Sequence, residues 1–247
     1  SACEKGGEWA RALQLLGGML HEGAKADVIT YNAAISACSA NSEWVRALEL
    51  RDGMVRKSIG MNTITYNALA KSCGKAGKWV IALDLLDTMA RHAIEADART
   101  YSAVIGACSA GEWARALDLL GAMEQRGLSV DTVAYGAAVS ACEERGEWAA
   151  VLEILAVMAR TAARNDVVVY NAAISTCEKG RQPEIAMDIF VQMQRQSFDP
   201  DTVTYSALIS ACEKGECPEQ ALQVLENMRG RRLAPDMIAY SALISAC

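Results

Sequence analysis

The chain has 247 residues, 52% of them apolar and 22% charged, with a formal net charge of −6 and a pI of ≈ 5.1. That is enough apolar content to bury a core, and the acidic balance weighs against a partner held by charge alone. No apolar run approaches a membrane span in length, so membrane insertion is not expected, and neither a signal peptide nor a transit segment is visible.

Residues 1–27 introduce a pattern that the rest of the chain repeats. Gly7 and Glu8 precede Trp9, Ala12, Leu13, Leu16 and Met19, which share one face of a helix. A Glu near a helix start suits the positive end of the dipole. Residues 28–62 open on Tyr31, Ala34, Ile35 and Cys38, spaced i, i+3, i+4 and i+7 on one face of a first helix. A second, Trp44-led pattern follows. The same pair returns at 63–97, 98–131, 132–166, 167–201 and 202–236, and 237–247 is the head of a further unit. Eight of the nine cysteines, all seven tyrosines and seven of the ten methionines recur at intervals of 35 residues, with a single interval of 34 before Gly111. Trp9, Trp44, Trp79, Trp113 and Trp148 keep the same interval, and Pro183 and Pro218 take the next two places, where a first helical turn tolerates proline.

Two helices with Gly7, Gly77, Gly111 or Gly146 between them make a hairpin. One hairpin cannot cover its own apolar faces, so successive hairpins must stack into an all-α solenoid. Both chain ends fall inside a first helix without a polar capping repeat, so the sequence reads as a section of a longer array. Equivalent residues on stacked hairpins lie ~8–10 Å apart, beyond the ~7 Å that a disulfide spans. The periodic cysteine is therefore expected to be a small core residue. No C-x-x-C pair occurs, and His21 and His92 lie at polar helix ends, so no metal or other cofactor is expected.

The unit VITYNAAISAC…EWVRALELRDGM…GMN resembles the pentatricopeptide repeat in its plain 35-residue form. Tyr fourth, Asn or Ser fifth, the Ala-Leu pair in the second helix, Met near its end and a closing Asp carry the resemblance, and it covers the whole chain. The tetratricopeptide repeat is the nearest rival, but it carries its Trp in the first helix. The resemblance implies a right-handed superhelical solenoid, residues 1–247 as a single array, and single-stranded RNA as partner, with one base per repeat. It also implies roles. The fifth and closing residues of a unit would read a base: Asn32 with Asn62, Asn67 with Asp97, Ser102 with Asp131, Gly136 with Asp166, Asn171 with Asp201, Ser206 with Asp236, and Ser241 without its partner. The second residues Ile29, Ile64, Arg99, Val133, Val168, Val203 and Ile238 would clamp bases between adjacent units.

Helical geometry supports a shared surface, because residues 29, 32, 36 and 40 line one stripe of the first helix. Blander readings stand beside the functional ones. The closing residues immediately precede a first helix, where Asp and Asn are favoured caps worth ~1 kcal/mol each. The apolar second residues could be helix-start packing. Lys5, Lys71, Lys75, Lys179 and Lys214 are candidate phosphate contacts, with Lys71, Lys75 and Arg99 the most basic spot. Glu143 and Glu178 dilute the field further along.

Two functions compete. One is a sequence-selective RNA-binding adaptor in organellar RNA processing, stability or translation, in chloroplast or mitochondrion, as the resemblance suggests. The other is a protein-binding or structural scaffold in a larger assembly, which the acidic balance favours. An enzyme is not expected of this segment: it shows no nucleophile–base constellation, metal pair, phosphate loop or zinc-deaminase signature.

Overall fold

The computed structural model describes residues 9–109, 111–160 and 166–246. Lys5, Cys3, Gly7, Glu8 and Cys247 lie outside the described residues. Fourteen α-helices and no strand occur among the described residues: α1 (Trp9–His21), α2 (Val28–Ala40), α3 (Trp44–Arg56), α4 (Thr63–Lys75), α5 (Trp79–Arg91), α6 (Ala98–Ala107), α7 (Trp113–Gln125), α8 (Thr132–Glu143), α9 (Trp148–Arg160), α10 (Val167–Lys179), α11 (Pro183–Arg195), α12 (Thr202–Lys214), α13 (Pro218–Gly230) and α14 (Met237–Ala246). They form two compact units, one of Ser1–Cys108 with Leu119–Ser129 and one of Ser109–Asp118 with Val130–Cys247.

Both units are built alike. In the first, α2, α4 and α6 lie side by side, while α3 and α5 each pack on the first helix of their own hairpin and on that of the next. In the second, α8, α10, α12 and α14 form the inner row, flanked in the same way by α9, α11 and α13. This is the stacked-hairpin architecture that the period predicts.

The burial departs from the sequence pattern in one respect. The periodicity marks one apolar face on each first helix, yet α2 buries Tyr31, Asn32, Ala34, Ile35, Ala37, Cys38 and Ser39. A first helix has neighbours on three sides, so burial spreads around it. Ala, Ser, Cys and Gly permit the close approach. At Gly74 an added Cβ would lie 2.6 Å from the carbonyl oxygen of Ala103 on α6. Second helices bury a narrower face, for example Ala82, Leu85 and Met89 on α5. Each fully buried Leu, Ile or Met contributes roughly 1.5–3 kcal/mol. Six of the seven periodic tyrosines fill the core with their rings, whereas Tyr240 on α14 is exposed, and Tyr170 and Tyr205 reach across the hairpin. Tyr170 donates its hydroxyl to Gln196 Oε1 at 2.9 Å, and Tyr205 donates to Asn227 Oδ1 at 2.6 Å.

Both kinds of turn use the left-handed backbone region. Inside hairpins it falls at Ser42, Gly77, Gly111, Gly146, Arg181 and Glu216, and between units at Gly23, Ser58, Ala93, Gly127, Ser197 and Arg232. The glycines in the sequence mark only part of this set. The inter-unit turn is closed by a hydrogen bond to the periodic methionine: Ile59 N donates to Met54 O and Ile94 N to Met89 O, both at 2.9 Å. This satisfies carbonyls that a helix end otherwise leaves open. Second helices start on the Trp or Pro itself. Glu43 occupies the cap position of α3 without a side-chain cap bond, so the Glu acts there through the dipole alone.

Candidate nucleic-acid interface

Every first-helix start is organised by the closing residue of the preceding unit. Asp27 accepts the backbone N–H of Thr30 at 2.8 Å, Asn62 that of Thr65 at 3.1 Å, Asp97 that of Thr100 at 2.9 Å and Asp131 that of Ala134 at 2.8 Å. Asp166 accepts from Val168 at 3.3 Å, Asp201 from Thr204 at 2.9 Å and Asp236 from Ala239 at 2.8 Å. All seven closing residues are thus N-caps.

Capping does not exhaust their contacts. Asn32 Nδ2 donates to Asn62 Oδ1 at 3.4 Å, and Asn67 Nδ2 meets both Asp97 oxygens at 3.1 and 3.2 Å. Asn171 Nδ2 donates to Asp201 Oδ1 at 3.2 Å, and Ser206 Oγ to Asp236 Oδ1 at 2.9 Å. In these four units the fifth and closing side chains, 30 residues apart in sequence, form one hydrogen-bonded pair. Gly136 offers Asp166 no side chain, and a Cβ there would meet only Val169 Cγ2, at 4.0 Å. Ser102 is buried on α6, and Ser241 is exposed on α14.

The pairs set the charge of the carboxylates. Burial pushes the Asp97 carboxyl up, but the Thr100 N–H and hydroxyl and the Asn67 amide outweigh it and hold the group below its ordinary value. Asp201 is held down in the same way by Thr204 and Asn171. Both are therefore anionic acceptors at neutral pH. A further set of side chains, unmarked in the sequence reading, completes the network. Thr65 Oγ1 donates to Asn32 Oδ1 at 2.7 Å, Thr204 Oγ1 to Asn171 Oδ1 at 2.6 Å, and Thr100 Oγ1 to Asn67 Oδ1. The available signal was a threonine three residues after the cap.

The second residues stand on the open side of the same helices. Ile29, Ile64, Val133, Val168, Val203 and Ile238 are 60–73% exposed, and Arg99 is also exposed. Helix-start packing does not account for side chains left this open. In the second compact unit, the stripe residues Val168, Asn171, Ser175, Val203, Ser206 and Ser210 line a groove of about 540 Å³, together with Asp236 and Ile238.

The lysines behave differently in the two units. In the second, Lys179 Nζ pairs with Glu143 Oε1 at 3.0 Å and Lys214 Nζ with Glu178 Oε1 at 2.7 Å. Each lysine is thus neutralised by a glutamate of the repeat before it. In the first, Lys75 Nζ donates to the Ala40 carbonyl at 3.0 Å, which leaves its charge uncancelled. Lys71 is exposed.

Stacked helical hairpins, four of them carrying a polar pair of fifth and closing side chains, define a helical-repeat protein. Sequence profiles described as the PPR repeat family match residues 26–75, 61–110 and 165–214, a PPR repeat profile matches 99–128 and 203–233, and a pentatricopeptide repeat domain profile matches 118–180. The chain belongs to the pentatricopeptide repeat family. A search of curated proteins returns no match. Among solved structures, the chain is similar to the pentatricopeptide repeat protein PPR10 from maize, at 21% identity and TM-score 0.59 over 99% of this chain and 40% of that one. PPR10 in complex with an 18-nt psaJ RNA element matches at 23% identity and TM-score 0.60 over 99% and 39%. The PPR domain of Arabidopsis thaliana protein-only RNase P 1, in complex with tRNA, matches at 13% identity and TM-score 0.60 over 72% and 94%. This chain spans about 40% of the length of PPR10.

Proposed function

We propose that this chain is a sequence-selective adaptor for single-stranded RNA, with one base per repeat. The observation that carries the reading is the hydrogen-bonded pair of fifth and closing side chains, set beside an exposed apolar second residue. Such a pair offers directional donors and acceptors to a base edge, while Ile64, Val168 or Val203 offers a surface for its face. PPR10 and the PPR domain of RNase P 1 are bound to RNA in their solved structures, which supports the same class of partner here.

Taken in chain order and parallel to RNA read 5′ to 3′, the pairs propose a core. Asn32 with Asn62 takes cytosine or uracil. Asn67 with Asp97 and Asn171 with Asp201 take uracil. Ser102 with Asp131, Gly136 with Asp166 and Ser206 with Asp236 take guanine, and Ser241 takes a purine. The core is (C/U)-U-G-G-U-G-purine. Lys71 and Lys75 would meet phosphates, and repeats 28–236 would act as one reading array. The adaptor would serve RNA processing, stability or translation in an organelle, and any catalysis would lie outside this segment.

One observation favours a second reading. The Lys179–Glu143 and Lys214–Glu178 pairs cancel charge where phosphate contacts were expected, as suits a protein-binding scaffold. Selection from a randomised RNA pool at low salt separates the two. Enrichment of the stated core supports the adaptor, an unrelated core refutes the pairing scheme, and no binding supports the scaffold.

A further inference from the structure

Three buried threonines sit behind the base-facing pairs. Thr65, Thr100 and Thr204 are each fully buried, and each is the third residue of its unit. The hydroxyl accepts the backbone N–H of the closing residue: Asn62 at 3.3 Å, Asp97 at 3.2 Å and Asp201 at 3.1 Å. Its single proton has the closing-residue Oδ1 within reach, at 3.1 Å for Asn62, 3.0 Å for Asp97 and 2.9 Å for Asp201, but makes its shorter bond to the fifth-residue amide oxygen of the preceding unit, on Asn32, Asn67 or Asn171.

That bond decides which way the amide faces. With Oδ1 held by the threonine, Nδ2 faces the closing residue. One of its hydrogens goes to that oxygen, and the other remains a donor at the groove. Reversing the amide would set oxygen against the closing-residue oxygen, a carboxylate at Asp97 and Asp201, and leave the buried hydroxyl facing an N–H₂ group, two losses at once. The sequence carries the same logic. Every asparagine at a fifth position is followed by threonine at the third position of the next unit. Ser102, Gly136 and Ser206, which have no amide to orient, are followed by Ala134, Val169 and Ala239. Helix capping alone gives no reason for this division, because Ala134 and Ala239 start capped helices too.

We infer that Thr65, Thr100 and Thr204 are positioning residues for specificity: each locks the asparagine of the preceding repeat with its N–H donor outward, so a pyrimidine is read by three residues of two repeats. The inference rests on the base-reading proposed above. Where threonine is present, the pair presents a fixed donor beside a fixed acceptor. Without it, only the closing residue orients the amide, and the distinction between uracil and cytosine weakens.

The test uses the whole chain with Thr100→Val, which keeps the β-branched shape and removes the hydroxyl, and with Thr100→Ser, which restores it. Fluorescence anisotropy compares two RNA heptamers carrying the proposed core with uracil or cytosine at the second base, and each variant is melted in parallel. The wild type should prefer uracil. Thr100→Val should keep binding but lose roughly tenfold in the ratio of the two Kd values, and Thr100→Ser should recover it. The same ratio taken at the fifth base should not move. A purely structural threonine would weaken both oligomers equally and leave the ratio intact, which overturns the inference while base-reading stands. A wild type blind to the second base overturns base-reading at Asn67 and the inference with it. Thr204→Val puts the same question to the fifth base, and replaces Thr100→Val should that variant not fold.

Discussion

Asn62 is the one closing residue that is not aspartate, and Asn62→Asp separates capping from reading. Its Oδ1 accepts from Thr65 N at 3.1 Å, Thr65 Oγ1 at 3.1 Å and Asn32 Nδ2 at 3.4 Å. Asp97 and Asp201 hold the same set of donors, so the new carboxylate inherits a working geometry. Asparagine and aspartate cap about equally well, and a charge at an exposed helix N-terminus adds only ~0.3–1 kcal/mol. The melt should therefore rise slightly at neutral pH. Hydrogen bonds depress the carboxyl at Asp97 and Asp201. A group of lowered pKa stabilises above its unfolded pKa and loses that contribution as pH falls through the folded one. Wild type and variant should accordingly converge in acid.

The effect on RNA is larger. The amide offers a donor and an acceptor, whereas the carboxylate offers acceptors only. Uracil presents an imino N–H where cytosine presents a bare N3, so the first base should shift from cytosine or uracil to uracil by about tenfold. Binding curves for C-first and U-first oligomers, with both proteins, measure it. An unchanged base ratio, with the melt unchanged or slightly raised, would falsify the reading role and leave the closing residues as caps.

Other outcomes follow from charge, burial and backbone. Lys71→Ala with Lys75→Ala should weaken all RNA sequences alike and lower the log–log salt slope by roughly 0.7 per lost phosphate contact, whereas Lys179→Ala, which frees Glu143, should leave the slope nearly unchanged; titrations at several salt concentrations compare them. Burial pushes the Cys38, Cys73 and Cys212 thiols up to about 11 and those of Cys142 and Cys177 to about 12, so in a mass-spectrometric time course at neutral pH the partly exposed Cys217 should be alkylated long before any of them. Ala93 holds a φ of 54°, and Ala93→Gly should raise the melting temperature by relieving up to ~1 kcal/mol of left-handed strain; a lower melt would count against that strain.

Much of this architecture is legible in one dimension. The 35-residue interval of Tyr, Cys, Met and Trp, the 3.6-residue pattern and the Asp before each first helix are local features. Helix formation and capping are decided by neighbours within four residues. Hence the hairpins, the caps and the stripe carrying Asn67 and Ile64 can be written down from the sequence. Only tertiary structure decided what the stripe's members meet. Lys179 finds Glu143 across 36 residues and Thr204 finds Asn171 across 33. The widened burial of α2 and the left-handed turns at Ser42, Ala93 and Glu216 likewise come from packing and chain direction, because no local propensity asks for them. The physical reason is separation: a pattern within one helix is set by its own turn, whereas a hydrogen bond between units exists only once two helices lie side by side and choose which ends face.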